Sequence, residues 1–325
     1  MQGLASYVLR RLLWAPLILF VVSAATFALG RYAPVDYVRI QAGARAQPET
    51  IERIRDERGL NDPFYEQYGR YIWNFLQGDF GQSVRYRGVD VQDVILPRLW
   101  VTVQYNALVL LLTFAIGIPI GTWAALKRGT WLDPFAIGVF LLFASVPVLV
   151  TIPILQWLLA VKLGWLPSGG WDVHEFFGVE IGVLSKRIVL PLLVMTLPGV
   201  AGLARYMRAQ VLEVLDQDYV RTARAKGLQE FTVVTRHVVR NAFLPIITIL
   251  GFELAGLLAG SIFVETLLSI PGIGAYAFES INSRDYDSIM AIVLIGAAAF
   301  ISATLLVDVT YAFIDPRIRL GGQAR

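Results

Sequence analysis

Long apolar runs alternate with polar stretches along this chain, and several of the runs are long enough to cross a bilayer. A membrane-spanning helix needs about 20 predominantly apolar residues. The hydrophobic pattern therefore predicts six transmembrane helices, at residues 12–30, 100–125, 134–161, 188–203, 243–268 and 289–313. The fourth run is the shortest, and we expect its helix to continue into the loop that follows it.

The segment between the first two runs, residues 31–98, is too polar to lie in lipid. Two stretches in it, 48–58 and 63–76, repeat apolar residues at helical spacing and predict two short helices. The second of these is amphipathic, with apolar positions at Tyr65, Tyr68, Tyr71, Ile72 and Phe75. Two interpretations of the segment stay open: a solvated cap on the outer face, or a dock for an extracytoplasmic partner.

Basic residues predict the orientation of the spans. If the six helices alternate in direction, both termini and two connecting loops share one face of the membrane. The basic residues of these four regions are Arg10, Arg11, Lys127, Arg128, Arg205, Arg208, Arg221, Arg224, Lys226, Arg236, Arg240, Arg317, Arg319 and Arg325. Lys and Arg concentrate in cytoplasmic loops, so both termini are predicted to be cytoplasmic. Lys186 and Arg187, before the fourth run, break the pattern.

Spans and charges together divide the chain into four regions. Residues 1–30 are predicted to form a cytoplasmic N-terminus and the first span, and residues 31–98 an extracytoplasmic region. Residues 99–314 hold the other five spans with a cytoplasmic loop at about 205–243, and residues 315–325 form a cytoplasmic tail. The first run is longer than a signal-peptide core of about 7–15 residues and no clear cleavage site follows it, so we expect it to be retained.

Composition excludes several kinds of chemistry. The chain has no cysteine, and its two histidines, His174 and His237, lie in different loops. Disulfides, thiol catalysis and a cysteine or histidine metal site are therefore not expected. The sequence also lacks the signatures of a phosphate-binding loop, a zinc protease and a serine nucleophile elbow. We expect no enzymatic activity, no cofactor on this chain and, at a net charge of +3, no nucleic acid partner.

Two glutamates in the fifth run are candidates for the lining of a transport pathway, because ionisable residues inside a membrane usually serve a function. Glu253 lies eight residues past Pro245, which is about 12 Å into the span. Pairing with a neighbouring helix is its alternative role. Glu265 lies about 30 Å from Pro245 and is expected at the outer interface. Glu265, and Asp308 near the inner end of the sixth run, could instead be interface anchors.

Glycines four residues apart recur in the spans, at Gly117 and Gly121 and again at Gly256 and Gly260. This spacing puts each pair on one helix face, where another helix can approach closely. The pattern predicts close packing within a helix bundle or at a dimer interface, without choosing between them.

The loop between the fourth and fifth runs, residues 205–241, contains no proline and one glycine, which favours a helix. Ala223 and Gly227 are four residues apart and predict one small helix face. Three basic residues surround that face: Arg221, Arg224 and Lys226. Such a helix could enter a cleft on a soluble partner, or it could rest on anionic lipid.

Motifs in this loop resemble those of ABC-importer permeases. Its central part resembles the E-A-A-x-x-x-G signature of their coupling helix, with Arg221 in place of the glutamate. Residues 218–228 and 236–245 are most similar to the dipeptide, oligopeptide and nickel branch, in its first or B-type subunit. Residues 32–36 match an early motif of the branch loosely, and Asp287 replaces a frequent proline. Four further stretches resemble motifs of the branch: 78–83, 264–274, 284–286 and 315–319.

The resemblance implies the transmembrane subunit of a type I ABC importer, with an all-α fold of about six helices, in the cell membrane of a prokaryote. Residues 99–314 would form the permease core. Such a subunit pairs with a second homologous permease, two ABC ATPase subunits that bind ATP and Mg²⁺, and an extracytoplasmic solute-binding protein. The residues implied to couple to the ATPases are Arg221, Thr222, Ala223, Arg224, Lys226, Gly227 and Leu228.

The branch implies di- or oligopeptides as the solute, with nickel, glutathione or another small solute as alternatives. A different class, the ion-gradient secondary transporter, would need discontinuous helices, an inverted repeat and ion ligands near the midplane. The sequence contains no convincing repeat, and acidic residues in the spans are sparse. A membrane enzyme would need a nucleophile or a metal set that the sequence lacks.

Overall fold

The computed structural model describes residues 2–31, 47–57 and 59–314 of the chain. Predictions for residues 32–36, 58 and 315–325 lie outside the described residues, as do those for the side chains of Arg10, Arg11 and Asp308. The elements are α1 (Gln2–Arg31), α2 (Pro48–Glu57), α3 (Phe64–Leu76), α4 (Val91–Leu126), α5 (Leu132–Ala144), α6 (Val148–Leu155), β1 (His174–Phe176), β2 (Val179–Ile181), α7 (Val189–Leu215), α8 (Asp218–Ala225), α9 (Glu230–Thr232), α10 (Arg240–Ala242), α11 (Leu244–Gly256), α12 (Ile262–Leu267), α13 (Ile273–Ser283) and α14 (Tyr286–Ile314).

The long helices confirm the predicted spans. Each of α1, α4, α7 and α14 contains a stretch long and apolar enough to cross a membrane, and two bent pairs bring the number among the described residues to as many as six. One pair joins α5 to α6 and the π-helical turn that continues α6, with a bend of 92°. The other joins residues 230–242 to α11, with a bend of 51°. As predicted, the fourth span continues as a helix, and α7 ends at Leu215.

The third predicted span, 134–161, is interrupted by proline. Helix α5 ends at Ala144, and α6 begins directly after Pro147. Proline has no backbone N–H to donate and disfavours the helical conformation in the residue before it, here Val146. The two halves of this span therefore meet at a sharp angle.

The fifth predicted span is not one continuous helix, and the prediction for 243–268 is wrong in this respect. Helix α11 ends at Gly256, and the short helix α12 begins only after Ser261. The Ser261 side chain accepts a hydrogen bond from the backbone N–H of Val264 at 3.4 Å, which caps the new helix. The chain therefore contains a non-helical segment where hydrophobicity alone indicated a single span.

A short β-hairpin modifies the predicted all-α fold. Strands β1 and β2 pair antiparallel, with Phe176 opposite Val179. The two connecting residues, Phe177 and Gly178, have φ angles of 52° and 78°. Positive φ at both positions is the geometry that two-residue hairpins favour, because it matches the twist of the strands.

The chain forms two compact units, a terminal unit of Met1–Trp100 with Gly272–Arg325 and a central unit of Val101–Pro271. In the terminal unit, α1 packs along α14. Aromatic residues of the predicted amphipathic helix α3 face α1, and Phe27 lies 5.6 Å from Tyr68 between ring centroids. The Tyr68 hydroxyl also forms a 2.7 Å hydrogen bond with Ser23. Helix α3 is thus held to the first span by its apolar face.

The central unit packs α4 closely against α7, as the Gly117–Gly121 pair predicted. A Cβ atom at Gly121 would overlap the backbone carbonyl of Ala204 and lie 2.8 Å from Cβ of Met207. The other predicted pair behaves differently, since a Cβ atom at Gly256 would meet nothing within 4 Å. Close packing within this chain therefore accounts for the first glycine pair and not for Gly256 of the second.

Candidate coupling loop and transport cavity

Helix α8 lies in the basic loop and ends in a Schellman motif. The N–H of Gly227 donates to the carbonyl of Arg224 at 2.9 Å, and the N–H of Leu228 donates to the carbonyl of Ala223 at 3.4 Å. These two bonds satisfy carbonyl groups that a helix C-terminus leaves without partners. Gly227 has a φ of +74°, the left-handed conformation that this motif requires. The chain reverses direction sharply at Gly227 for this reason.

The predicted small face of α8 is its inner face. Ala223 is buried, and it packs with the buried Val220 in a cluster that includes Met207 of α7 and Val233. The interpretation that Ala223 and Gly227 share an exposed, smooth surface is therefore wrong. Apolar burial decides the rotation of this short helix, so its small residue points to the core of the central unit and its charged residues point outward.

The outward side of the loop carries the remaining predicted coupling residues. Arg221 pairs with Asp218 at 3.4 Å, and Arg224 donates two hydrogen bonds to Glu230, at 2.7 and 3.1 Å. The bond to Glu230 raises the pKa of Arg224 above its usual value. The remaining exposed residues of the predicted set are Thr222, Lys226, Gly227 and Leu228. Arg224 therefore connects α8 to the segment that follows it.

Sequence reasoning missed Phe231, which lies beside this surface. Its side chain is 78% exposed, and Leu228 nearby in the sequence is 42% exposed. We define the docking surface as the exposed residues Arg221, Thr222, Lys226, Leu228 and Phe231. Apolar side chains exposed together within a polar rim are typical of a protein-binding surface. The available signal was an aromatic residue that directly follows the polar pair Gln229 and Glu230.

The turn at Gly227 gives a testable prediction. Gly227→Val should destabilise the loop by about 1–3 kcal/mol, because a β-branched residue is strained at positive φ. Gly227→Asn should cost less, since asparagine tolerates this conformation. Limited proteolysis of the purified chain should cut the loop faster in the valine variant than in the asparagine variant. Equal cleavage rates would contradict the turn as described, because no atom lies within 4 Å of the added Cβ to cause a clash instead.

A cavity of about 520 Å³ opens in the central unit, with walls formed mainly by α4, α7 and α11. Glu253, the first predicted pathway residue, lines it and is exposed. Neutral polar side chains in the same wall come from Asn106, Thr113 and Tyr206. The Asn106 amide donates to the carbonyl of Leu257 at 3.0 Å, which fixes the chain just beyond the end of α11. The structure thus brings Glu253 to a cavity that was not itself predictable.

Glu265, the second predicted pathway residue, lies elsewhere in the central unit and is completely buried. Its carboxylate accepts hydrogen bonds from the hydroxyls of Tyr105 at 2.5 Å and Thr102 at 3.0 Å, both on α4. The expected position at the outer interface stays a prediction, whereas the contacts of Glu265 with α4 explain why its side chain is buried. Glu265 therefore holds α12 in place and does not line the cavity.

A hydrogen-bonded cluster in the terminal unit joins 78–83 and 284–286, two of the stretches that resemble motifs of the permease branch. Oδ2 of the buried Asp285 accepts hydrogen bonds from the Ser83 hydroxyl at 2.6 Å and from the N–H groups of Val84 at 2.9 Å and Arg85 at 3.2 Å. Oδ1 accepts from the N–H of Ser288 at 3.3 Å. We call this arrangement the Asp285 cluster. Sequence reasoning identified both motifs but gave no sign that they meet.

Comparison with known proteins identifies the family. Residues 117–320 match the family described as "Binding-protein-dependent transport system inner membrane component", and residues 4–103 match the N-terminal family of the same membrane components. The dipeptide transport system permease protein DppB of Alkalihalophilus pseudofirmus is 33% identical over 97% of this chain and 99% of its own length. The same coverage applies to the oligopeptide permease AppB of Bacillus subtilis at 35% identity and to the glutathione permease GsiC of Escherichia coli at 36%.

These matches extend over nearly the whole chain, and they agree with the long apolar helices of both units. The predicted fold class, membrane location and resemblance are thereby confirmed, and the chain is a translocation component of a transport system. It is a multi-pass inner-membrane protein that belongs to the permease family of binding-protein-dependent ABC importers.

Proposed function

We propose that this chain forms half of the transport pathway of an ATP-driven peptide importer and couples that pathway to two ATPase subunits. The observation that carries the proposal is the course of α7. Its middle lines the cavity through Gly202 and Tyr206, and only Asp216 and Gln217 separate its end from α8. A movement of the docking surface therefore acts on the cavity wall through one helix.

The docking surface is the proposed contact with an ATPase. Arg221 and Lys226 supply positive charge around the exposed Leu228 and Phe231, so the surface suits an acidic cleft with an apolar floor. Ala223 packs beneath this surface, and Gly227 ends helix α8. Thr222 and Arg224 complete the set of residues that we propose to couple to the ATPase. ATP and Mg²⁺ bind on the ATPases. A second, homologous permease would supply the other half of the pathway.

Peptides are the proposed solute, because two of the similar permeases are named for dipeptide and oligopeptide transport. An extracytoplasmic binding protein would deliver the peptide, as the family description implies for binding-protein-dependent systems. Glutathione is the second candidate, since an equally similar permease is named for it. Competition between dialanine and glutathione for uptake separates the two.

Uptake measurements test the proposal. Proteoliposomes that hold this chain with its partner permease, both ATPases and the loaded binding protein should accumulate labelled dialanine only when ATP is present. Vanadate should stop the accumulation. Proteoliposomes with this chain alone, under a proton or sodium gradient, should accumulate none. Gradient-driven accumulation by the chain alone would contradict the ATP-driven mechanism and favour a secondary transporter.

Labelling of single cysteines tests the proposed orientation, because the chain has none of its own. Arg87 and Thr222 are both exposed, whereas Ser83, near Arg87, is buried and unsuitable. In intact cells an impermeant maleimide should label Arg87→Cys and leave Thr222→Cys unlabelled until the membrane is opened. Labelling of Thr222→Cys in sealed cells would reverse the orientation and remove the docking surface from the ATPases.

A further inference from the structure

The cavity in the central unit has a single charged wall residue. Among the described residues that line it, Glu253 is the one acid, and none is basic. The other polar groups that line it are uncharged, and they include Asn106, Thr113 and Tyr206. A carboxylate in an apolar span carries a high desolvation cost, which is why such groups usually bind a cation or a partner group.

Glycines keep the cavity open around this carboxylate. Gly202 on α7 and Gly256 on α11 both line it, and a Cβ atom at either would meet nothing within 4 Å. Gly256 lies three residues after Glu253 and thus on the same side of α11. The volume of about 520 Å³ falls within the range of about 300–1,000 Å³ that is usual for sites that enclose small ligands. The Glu253 side chain therefore faces room for a ligand.

The composition of the wall selects the kind of cation. Divalent metal ions require several oxygen ligands, commonly more than one of them a carboxylate, and the described residues contain no group of three acidic or histidine side chains that could hold a metal. One carboxylate with neutral hydroxyl and amide groups matches a monovalent group that donates several hydrogen bonds. A primary ammonium has this charge and three N–H donors.

We propose that Glu253 binds the amino-terminal ammonium group of the peptide as it passes through the cavity. This inference rests on the proposed function, since it takes a peptide as the solute. It makes the cavity selective for solutes with a free amino group, and Gly202 and Gly256 leave space for the side chains that follow. The site thus selects solutes by the charge of their amino terminus and not by their peptide sequence.

Cysteine reactivity measures the charge in the cavity directly. In the purified, assembled complex, Gly256→Cys should react with a cationic thiosulfonate about fivefold or more faster than with an anionic one, because a carboxylate is close. Adding Glu253→Gln should bring the two rates together. The matched control is Glu213→Gln, an exposed glutamate of α7 outside the cavity, which should leave the ratio unchanged. Gly202→Cys provides a second position with the same expected response.

Protection by solute tests recognition of the ammonium. Dialanine should slow the modification of Gly256→Cys at lower concentration than N-acetyl-dialanine does, by about tenfold if the charge pair forms. Glu253→Gln should remove this difference, and Glu253→Asp should keep part of it. Equal protection by both compounds, no protection by either, or an unreactive cysteine at Gly256 would each overturn the inference.

Transport by the same complexes separates this inference from the proposed function. Failure of the wild-type complex to accumulate dialanine with ATP would reject the peptide importer itself. Accumulation by the wild-type complex and by the Glu253→Gln complex at equal rates would reject only the role of Glu253. A role for Glu253 in binding the partner permease predicts another result, because Glu253→Gln would then reduce co-purification of the partner and affect all solutes alike.

Discussion

Gly121→Ala should prevent the chain from reaching its folded state at normal levels. The added methyl group would overlap the Ala204 carbonyl and lie 2.8 Å from Cβ of Met207, and neither group belongs to a flexible side-chain end. Helices α4 and α7 would have to separate along their contact. Overpacking of this kind costs about 3 kcal/mol, a large part of the stability of a domain. The folded fraction after mild detergent extraction, measured by size-exclusion chromatography, should fall severalfold.

Gly138→Ala is the matched control for this prediction. Gly138 is also within a membrane helix, α5, but a Cβ atom there would meet nothing within 4 Å. Alanine should even stabilise that helix by up to about 1 kcal/mol, since glycine is a poor helix former. If the two variants were recovered in equal amounts, the close approach of α4 to α7 would be refuted.

Asp285→Ala should have the second large effect. The substitution removes the acceptor of three backbone N–H groups and of the Ser83 hydroxyl, all within 3.3 Å of the carboxylate. Donors left without partners in a buried site cost about 1–3 kcal/mol each, so the loss should be at least about 3 kcal/mol even after partial rearrangement. The unfolding temperature of the purified chain should fall by roughly 5–10 °C.

Two variants control the interpretation of this result. Asp285→Asn keeps the size and one acceptor oxygen but turns an NH₂ group toward a site of donors, so its effect should be intermediate. Asp93→Ala removes an exposed carboxylate from the first turn of α4 and should cost about 0.5 kcal/mol. A thermal shift for Asp285→Ala no larger than that for Asp93→Ala would show that the Asp285 cluster does not hold the two motifs together.

Sequence patterns were sufficient to predict the long helices. In lipid the backbone N–H and C=O groups must bond to each other, and a helix is one of the few structures that achieves this. The interruptions were harder to predict. Pro147 was a visible signal for the bend between α5 and α6, and Gly178 was one for the turn of the hairpin. The break after Gly256 had a weaker marker, the pair Gly260 and Ser261, because apolar residues flank that pair on both sides.

The candidate site was predictable in its residue types but not in its geometry. The lack of proline in residues 205–241 correctly indicated a helix there, yet the spacing of Ala223 and Gly227 did not give its rotation or its end at Ala225. Packing of Val220 and Ala223 onto the core decided the rotation. Glu253 and Glu265 looked similar in sequence, and only the tertiary contacts of α12 with α4 separated a buried structural carboxylate from one that faces a cavity.

Of the two prolines in α7, Pro198 lies in the interior of the helix and has a mechanical consequence. The helix is about 40 Å long at about 1.5 Å per residue, and Pro198 cannot donate the hydrogen bond that would otherwise reach Val194. Bending stiffness is therefore lowest at a point that itself lines the cavity. The 17 helical residues beyond it, 199–215, extend about 25 Å, so a 10° rotation at Pro198 would displace the end of the helix by about 4 Å. Under the proposed function, a displacement of that size at the docking surface would strain α7 at the cavity wall.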